Sequence, residues 1–99
     1  MIKRSGYSVY ALEVEQVLET HPAVLEASVV GLPDERMGEV PVAAVRLAEG
    51  TTLRQAKLGA FATEHLAEYK VPTRFVAVDE LPRTGTTKVQ KSELLELFA

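Results

Sequence analysis

Lys88 stands in the stretch Leu81 to Lys91, LPRTGTTKVQK, just behind Gly85, Thr86 and Thr87. Three small residues leave its ammonium unshielded, and Pro82 stiffens the approach. A lysine ammonium is a compact point charge on a flexible stem, suited to phosphate or carboxylate oxygens. Such a loop can carry a cation into another molecule's active site. The 99 residues supply Lys88 with no pocket-forming partner, and a lone lysine on a loop cannot do chemistry by itself.

Other constellations of reactive residues fail on spacing. GTTK lacks the first glycine of a phosphate-binding P-loop, has Thr87 for the glycine before the lysine, and has Val89 for the hydroxyl residue after it. Ser5, His21 and Asp34 have no nucleophile-elbow context. His21 ends a helix and reads as a capping or solvated residue, whereas His65 lies on an apolar stripe and reads as a core or edge histidine. The two lack ligand spacing. With no cysteine there is neither a disulfide framework nor a thiolate metal site. Glu13, Glu15 and Glu19 read as a solvated helix face rather than a paired-carboxylate site.

The elements that must position Lys88 follow from periodicity and turn residues. Ile2 and Lys3 start a strand, Ser5-Gly6 is a turn, and Tyr7 to Tyr10 returns as a second strand. Ala11 to about Thr20 is a helix with Val14, Val17, Leu18 and His21 on one stripe, ended by Pro22. Val24 to Gly31 and Glu39 to Leu47 are strands around the loop LPDERMGE. They lie too close for a helical crossover and must pair antiparallel. Pro41 predicts a strand start or an edge position. Thr52 and Gln55 fit a capping box for a second helix that buries Leu58, Phe61, Ala62, His65 and Leu66 and runs to about Ala67. Thr73 to Val78 is a further core strand. Asp79 to Thr87 is a loop, and Lys91 to Phe98 is a short helix with Leu94, Leu95 and Phe98 inward.

The expected fold class is α+β: a small, mostly antiparallel sheet with packed helices, preceded by an N-terminal β-hairpin. Residues 1–99 make one domain, with no repeat, low-complexity tract or linker. The chain begins inside an ordered hairpin, which suits a domain cut from a longer polypeptide. A net charge of −3 argues against a nucleic-acid partner. No apolar run approaches the roughly 20 residues needed to span a bilayer, and MIKRSGYSVY has no signal-peptide core. A cytoplasmic location is the default expectation.

Four separated segments, in order, resemble the C-terminal domain of the adenylate-forming (AMP-binding) superfamily. IKRSGYSVYALEVE is similar to its glycine-containing hairpin and helix start. HPAVLEASVVGLPDERMGEVPVAAV resembles H-P-x-V-x-x-A-x-V-[VI]-G-x-P-D-x-x-x-G-E-x-x-x-A-x-V. LAEYKVP resembles L-x-x-Y-K-[VI]-P, and LPRTGTTKVQKSEL resembles L-P-[RK]-[TN]-x-x-G-K-[VI]-x-[RK]-x-x-L. Any one motif is weak and the four together are strong. The wording is most like that of acyl-CoA synthetases.

The resemblance implies a lid domain of an acid–thiol ligase, of the kind used in fatty acid metabolism. ATP and a small-molecule carboxylic acid first give an acyl-adenylate and pyrophosphate. The lid then rotates, and coenzyme A attacks the adenylate. Lys88 falls where the family's catalytic lysine enters the pocket of the large N-terminal AMP-binding domain, this chain's implied partner. Gly6, flanked by Ser5 and Tyr7, falls on the turn that faces the pantetheine passage. Tyr69 and Lys70 fall where members contact the nucleotide part of coenzyme A, although Tyr69 reads equally well as an anchor at the end of the second helix. Lys3 and Arg4 are expected to add charge near the hinge. Mg2+ is expected in the large domain and no metal in this chain, and the isolated chain is expected to be inactive. Thr87 departs from the family's glycine, and a positive φ there would cost threonine about 1 kcal/mol or more. Two other readings are an adenylation domain that loads a carrier protein and a noncatalytic, free-standing interaction domain.

Overall fold

In a computed structural model that describes residues 2–51, 54–81 and 91–98, the strands form one five-stranded sheet. In chain order the elements are β1 (Ile2–Arg4), β2 (Tyr7–Val9), α1 (Ala11–Glu19), β3 (Val24–Asp34), β4 (Gly38–Leu47), α2 (Gln55–His65), β5 (Phe75–Ala77) and α3 (Lys91–Leu94). A 3-10 turn, Glu68–Lys70, lies between α2 and β5, and another, Leu95–Phe98, follows α3. The expected α+β class and N-terminal hairpin are both present.

β3 and β4 form the spine, an antiparallel pair running from Val24↔Leu47 to Asp34↔Gly38. Its central residues, Ala27 to Val30 and Val40 to Val45, are buried on both faces, because each face carries its own apolar layer. On one face Val29, Ala43 and Val45 pack with Val14 and Leu18 of α1 and Leu58 and Ala62 of α2. On the other, Val30, Val42 and Ala44 pack with Leu81, Leu94 and Phe98. The strand expected to end at Gly31 therefore continues to Asp34, and the loop shrinks to a tight turn.

Four local expectations are corrected. Pro41 is neither at a strand start nor on an edge; it sits inside the central strand, opposite Gly31. Its carbonyl and the Ala43 N–H face the β5 side, where they bond Thr73 N at 2.9 Å and Arg74 O at 3.0 Å. The N–H that proline lacks therefore points away from β3. It falls between β1, which pairs β4 at Gly38, and β5, which begins pairing at Ala43. In the second helix, α2 starts at Gln55 with Arg54 at the cap, and the Gln55 side chain accepts the Phe75 N–H at 3.2 Å. Thr52 lies outside the described residues. Of the expected α2 stripe, Leu58 and Ala62 are buried, Phe61 and Leu66 are partly buried, and His65 is exposed. The His65 ring lies 4.6 Å from that of Phe61.

The fourth correction concerns the glutamates of α1. β3 is the outer strand of the sheet beside β4, and an open edge leaves backbone groups unpaired. Glu19 accepts the Ala27 N–H at 3.0 Å and Glu15 accepts the Val29 N–H at 2.8 Å. These carboxylates close the edge rather than face only solvent. Glu19→Ala removes the acceptor of a buried residue's N–H and is expected to cost about 1–2 kcal/mol, with Glu19→Gln losing less because it keeps an oxygen there. Urea denaturation of the domain checks this. A loss no larger than that of Glu64→Ala, on the exposed side of α2, would return Glu19 to a solvated role.

Candidate functional site

The β1–β2 hairpin turns in two residues, since Arg4 pairs with Tyr7 across Ser5 and Gly6. Both turn residues have positive φ, 49° at Ser5 and 87° at Gly6, as a two-residue turn matching the twist of its strands requires. A Cβ added at Gly6 would meet nothing within 4 Å. The space beside this turn is open, so the glycine answers to backbone conformation alone within this domain.

The turn is held from below by another. Asp34 Oδ1 accepts the N–H groups of Arg36 and Met37, each at 2.9 Å, closing the bend between β3 and β4. Met37 O then accepts the Ser5 N–H at 2.7 Å. The aspartate four residues before Gly38 is a turn signal readable in PDERMG, although its effect on Ser5 is not.

Beside the hairpin, the Tyr7 and Tyr69 rings stack with centroids 4.6 Å apart. Tyr69 packs against the apolar layer of α1 and α2, so the anchoring reading holds for its ring. Tyr7 is 58% exposed, which leaves the stack open to solvent on its side. Arg4, expected to add charge near the hinge, turns inward: its Nη1 donates to Tyr69 O at 3.2 Å and to Val71 O at 3.5 Å. Arg4, Ser5, Tyr7, Met37, Glu68 and Tyr69 line a shallow pocket of about 340 Å³. Lys70 borders it, its Nζ 2.9 Å from Glu13 and 5.6 Å from the Tyr69 ring centre. The hydrogen bond to Glu13 holds the Lys70 ammonium above the usual lysine range.

The structure thus brings Ser5, Gly6, Tyr7, Tyr69 and Lys70 together at one end of the sheet. Sequence reasoning missed Arg4's inward reach and Met37, because both act across segments distant in the chain. Lys88 lies outside the described residues, as does Thr87. Before and after them in the chain, Leu81 and Leu94 are both buried in one apolar layer.

The chain belongs to the AMP-binding enzyme C-terminal domain family, whose model matches residues 13–88. It is 48% identical over 98 residues to the 2-succinylbenzoate–CoA ligase of Geobacillus kaustophilus, covering 99% of this chain and 20% of that protein. It is 45% identical over 96 residues to the mitochondrial medium-chain acyl-CoA ligase of Danio rerio, covering 97% of this chain and 16% of that one. The structure of ATP-bound MatB from Rhodopseudomonas palustris superposes with a TM-score of 0.93 at 33% identity, over 99% of this chain and 20% of that chain. The chain therefore spans 16–20% of the length of these relatives. No helix among the described residues is long and apolar enough to cross a membrane.

The Asp34 turn yields a test. The Met37 N–H first, and then the Arg36 N–H, hold the Asp34 carboxyl below its ordinary value of 3.8. Folding lowers its pKa, so its stabilisation is complete above about 3.8 and is lost as pH falls through the lower folded value. NMR titration is expected to place the Asp34 midpoint below 3.8 and to move the Ser5 amide with it. A midpoint at or above 3.8 would contradict the turn's role.

Proposed function

We propose that this chain is the lid domain of an ATP-dependent acyl-CoA synthetase, working against a large N-terminal AMP-binding domain. The observation that carries this reading is an open glycine turn beside an exposed tyrosine stack, in a chain whose relatives are CoA ligases. In the first half-reaction the acid's carboxylate oxygen attacks the α-phosphorus of ATP, and pyrophosphate leaves. In the second, the coenzyme A thiol loses its proton and attacks the acyl carbonyl, and AMP leaves. Mg2+ belongs with the nucleotide in the large domain.

Lys88 serves the first step. A carboxylate approaching a phosphate meets like charge, and an ammonium placed between them lowers that repulsion as the new bond forms. It forms no covalent bond. The Ser5–Gly6 turn serves the second step, after the lid has rotated. A turn without a side chain lets the pantetheine arm pass along the backbone. The Tyr69 side chain, stacked on Tyr7, stands beside the adenine of coenzyme A, and the Lys70 ammonium, paired with Glu13, lies next to it for phosphate.

Two substitutions separate the half-reactions in the full-length enzyme. Lys88→Ala is expected to lower pyrophosphate exchange by two or more orders of magnitude, about the loss of one transition-state charge partner, while sparing thioester formation from preformed adenylate. Equal loss of both would sink the lysine assignment. Gly6→Leu is expected to block thioester formation and spare exchange. Gly6→Ala is its control. Both variants bear the strain of positive φ, about 1–2 kcal/mol, and neither meets a neighbour within this domain. Leucine slowing the thioester step no more than alanine would make Gly6 a purely structural turn residue.

A further inference from the structure

We propose that Arg4 is a positioning residue for the thioester-forming step: it fixes the backbone that carries Tyr69 against the Ser5–Gly6 turn. It thereby sets where the nucleotide end of coenzyme A lies relative to its thiol arm. This rests on the assignment of Gly6 and Tyr69 to coenzyme A proposed above. Arg4 is the last residue of β1, adjacent to the turn. Its Nη1 reaches Tyr69 O at 3.2 Å and Val71 O at 3.5 Å, so one guanidinium holds the carbonyls on both sides of Lys70. Tyr69 is then held twice: Tyr7 stacks on its ring and Arg4 bonds its backbone.

The geometry also limits what Arg4 can do itself. Its Nε is buried and has no hydrogen-bond partner among the described residues. A buried donor left unpaired is costly, and a guanidinium serving only as surface charge would point to water. This one lines the pocket but spends its Nη1 on two backbone carbonyls, which ties its contribution to the position of Tyr69.

The test uses the full-length enzyme with Arg4→Met and Arg4→Lys. It measures pyrophosphate exchange and the KM and kcat of thioester formation with two acceptors, coenzyme A and pantetheine. Pantetheine carries the thiol arm without the nucleotide. Arg4→Met is expected to leave exchange unchanged and to raise the KM for coenzyme A roughly tenfold, about 1.4 kcal/mol of binding lost through a displaced Tyr69. The KM for pantetheine should not move. Arg4→Lys, which keeps one donor, should fall between. An equal rise for both acceptors, or a loss of both half-reactions with a lowered Tm, would make Arg4 structural and overturn the proposal. Tyr69→Ala separates the two levels of inference. If it leaves the KM for coenzyme A unchanged, the assignment of Tyr69 fails and the proposal with it. If Tyr69→Ala raises that KM and Arg4→Met does not, the proposal alone fails.

Discussion

Pro41 cannot donate a backbone hydrogen bond, and β4 is the strand with which β1, β3 and β5 all pair. The strand answers this by changing partners on one side. Before Pro41 its outer side meets β1; after Pro41 it meets β5. At the change, the Thr73 N–H bonds the proline's own carbonyl. The Glu39 carboxylate accepts the Lys3 N–H at 3.0 Å, so a side chain serves β1 where the ladder stops. Gly31, across from Pro41, is crowded from the same region: a Cβ there would lie 3.0 Å from Glu39 Oε2 and 3.2 Å from Ile2 Cγ1. One missing N–H thus organises the place where the hairpin and the approach to β5 come together.

That meeting place is also the candidate site. The chain approaches β5 through Tyr69, Lys70 and Val71, while the hairpin offers Arg4 and the Ser5–Gly6 turn from the other direction. Arg4 bonds the backbone of the first group, Tyr7 stacks on Tyr69, and Met37 O holds the base of the turn. The apolar layers on the two faces of β3 and β4 keep the frame fixed behind it. In the proposed function, the turn meets the arm of coenzyme A and the ring meets its nucleotide.

Most of the frame was legible in the residues. The Val14 and Leu18 stripe, the antiparallel pairing of the two long strands and the Ser5-Gly6 turn depend on local periodicity or backbone conformation, which a sequence displays directly. The failures share one cause. Glu15 and Glu19 looked solvated because their partners, Val29 and Ala27, come within reach only after α1 lies along β3. Gln55 looked like half of a capping box because its actual partner, Phe75, is brought beside α2 by the sheet. Pro41 looked like an edge residue because nothing local says that its strand changes neighbours midway. The inward turn of Arg4 belongs with these, since side-chain bonds to distant backbone leave no periodic trace. Lys88, by contrast, is marked in the sequence by its small neighbours and by its resemblance to the family pattern.

In the proposed function, the β1–β2 turn and Tyr69 are two contacts of one ligand. A crystal structure of the full-length enzyme with coenzyme A bound tests this most directly. The predicted result is a pantetheine arm in van der Waals contact with the Gly6 backbone, at about 4 Å, with the adenine beside the Tyr69 ring. Coenzyme A bound with its arm away from Gly6 and its adenine away from Tyr69 would contradict it.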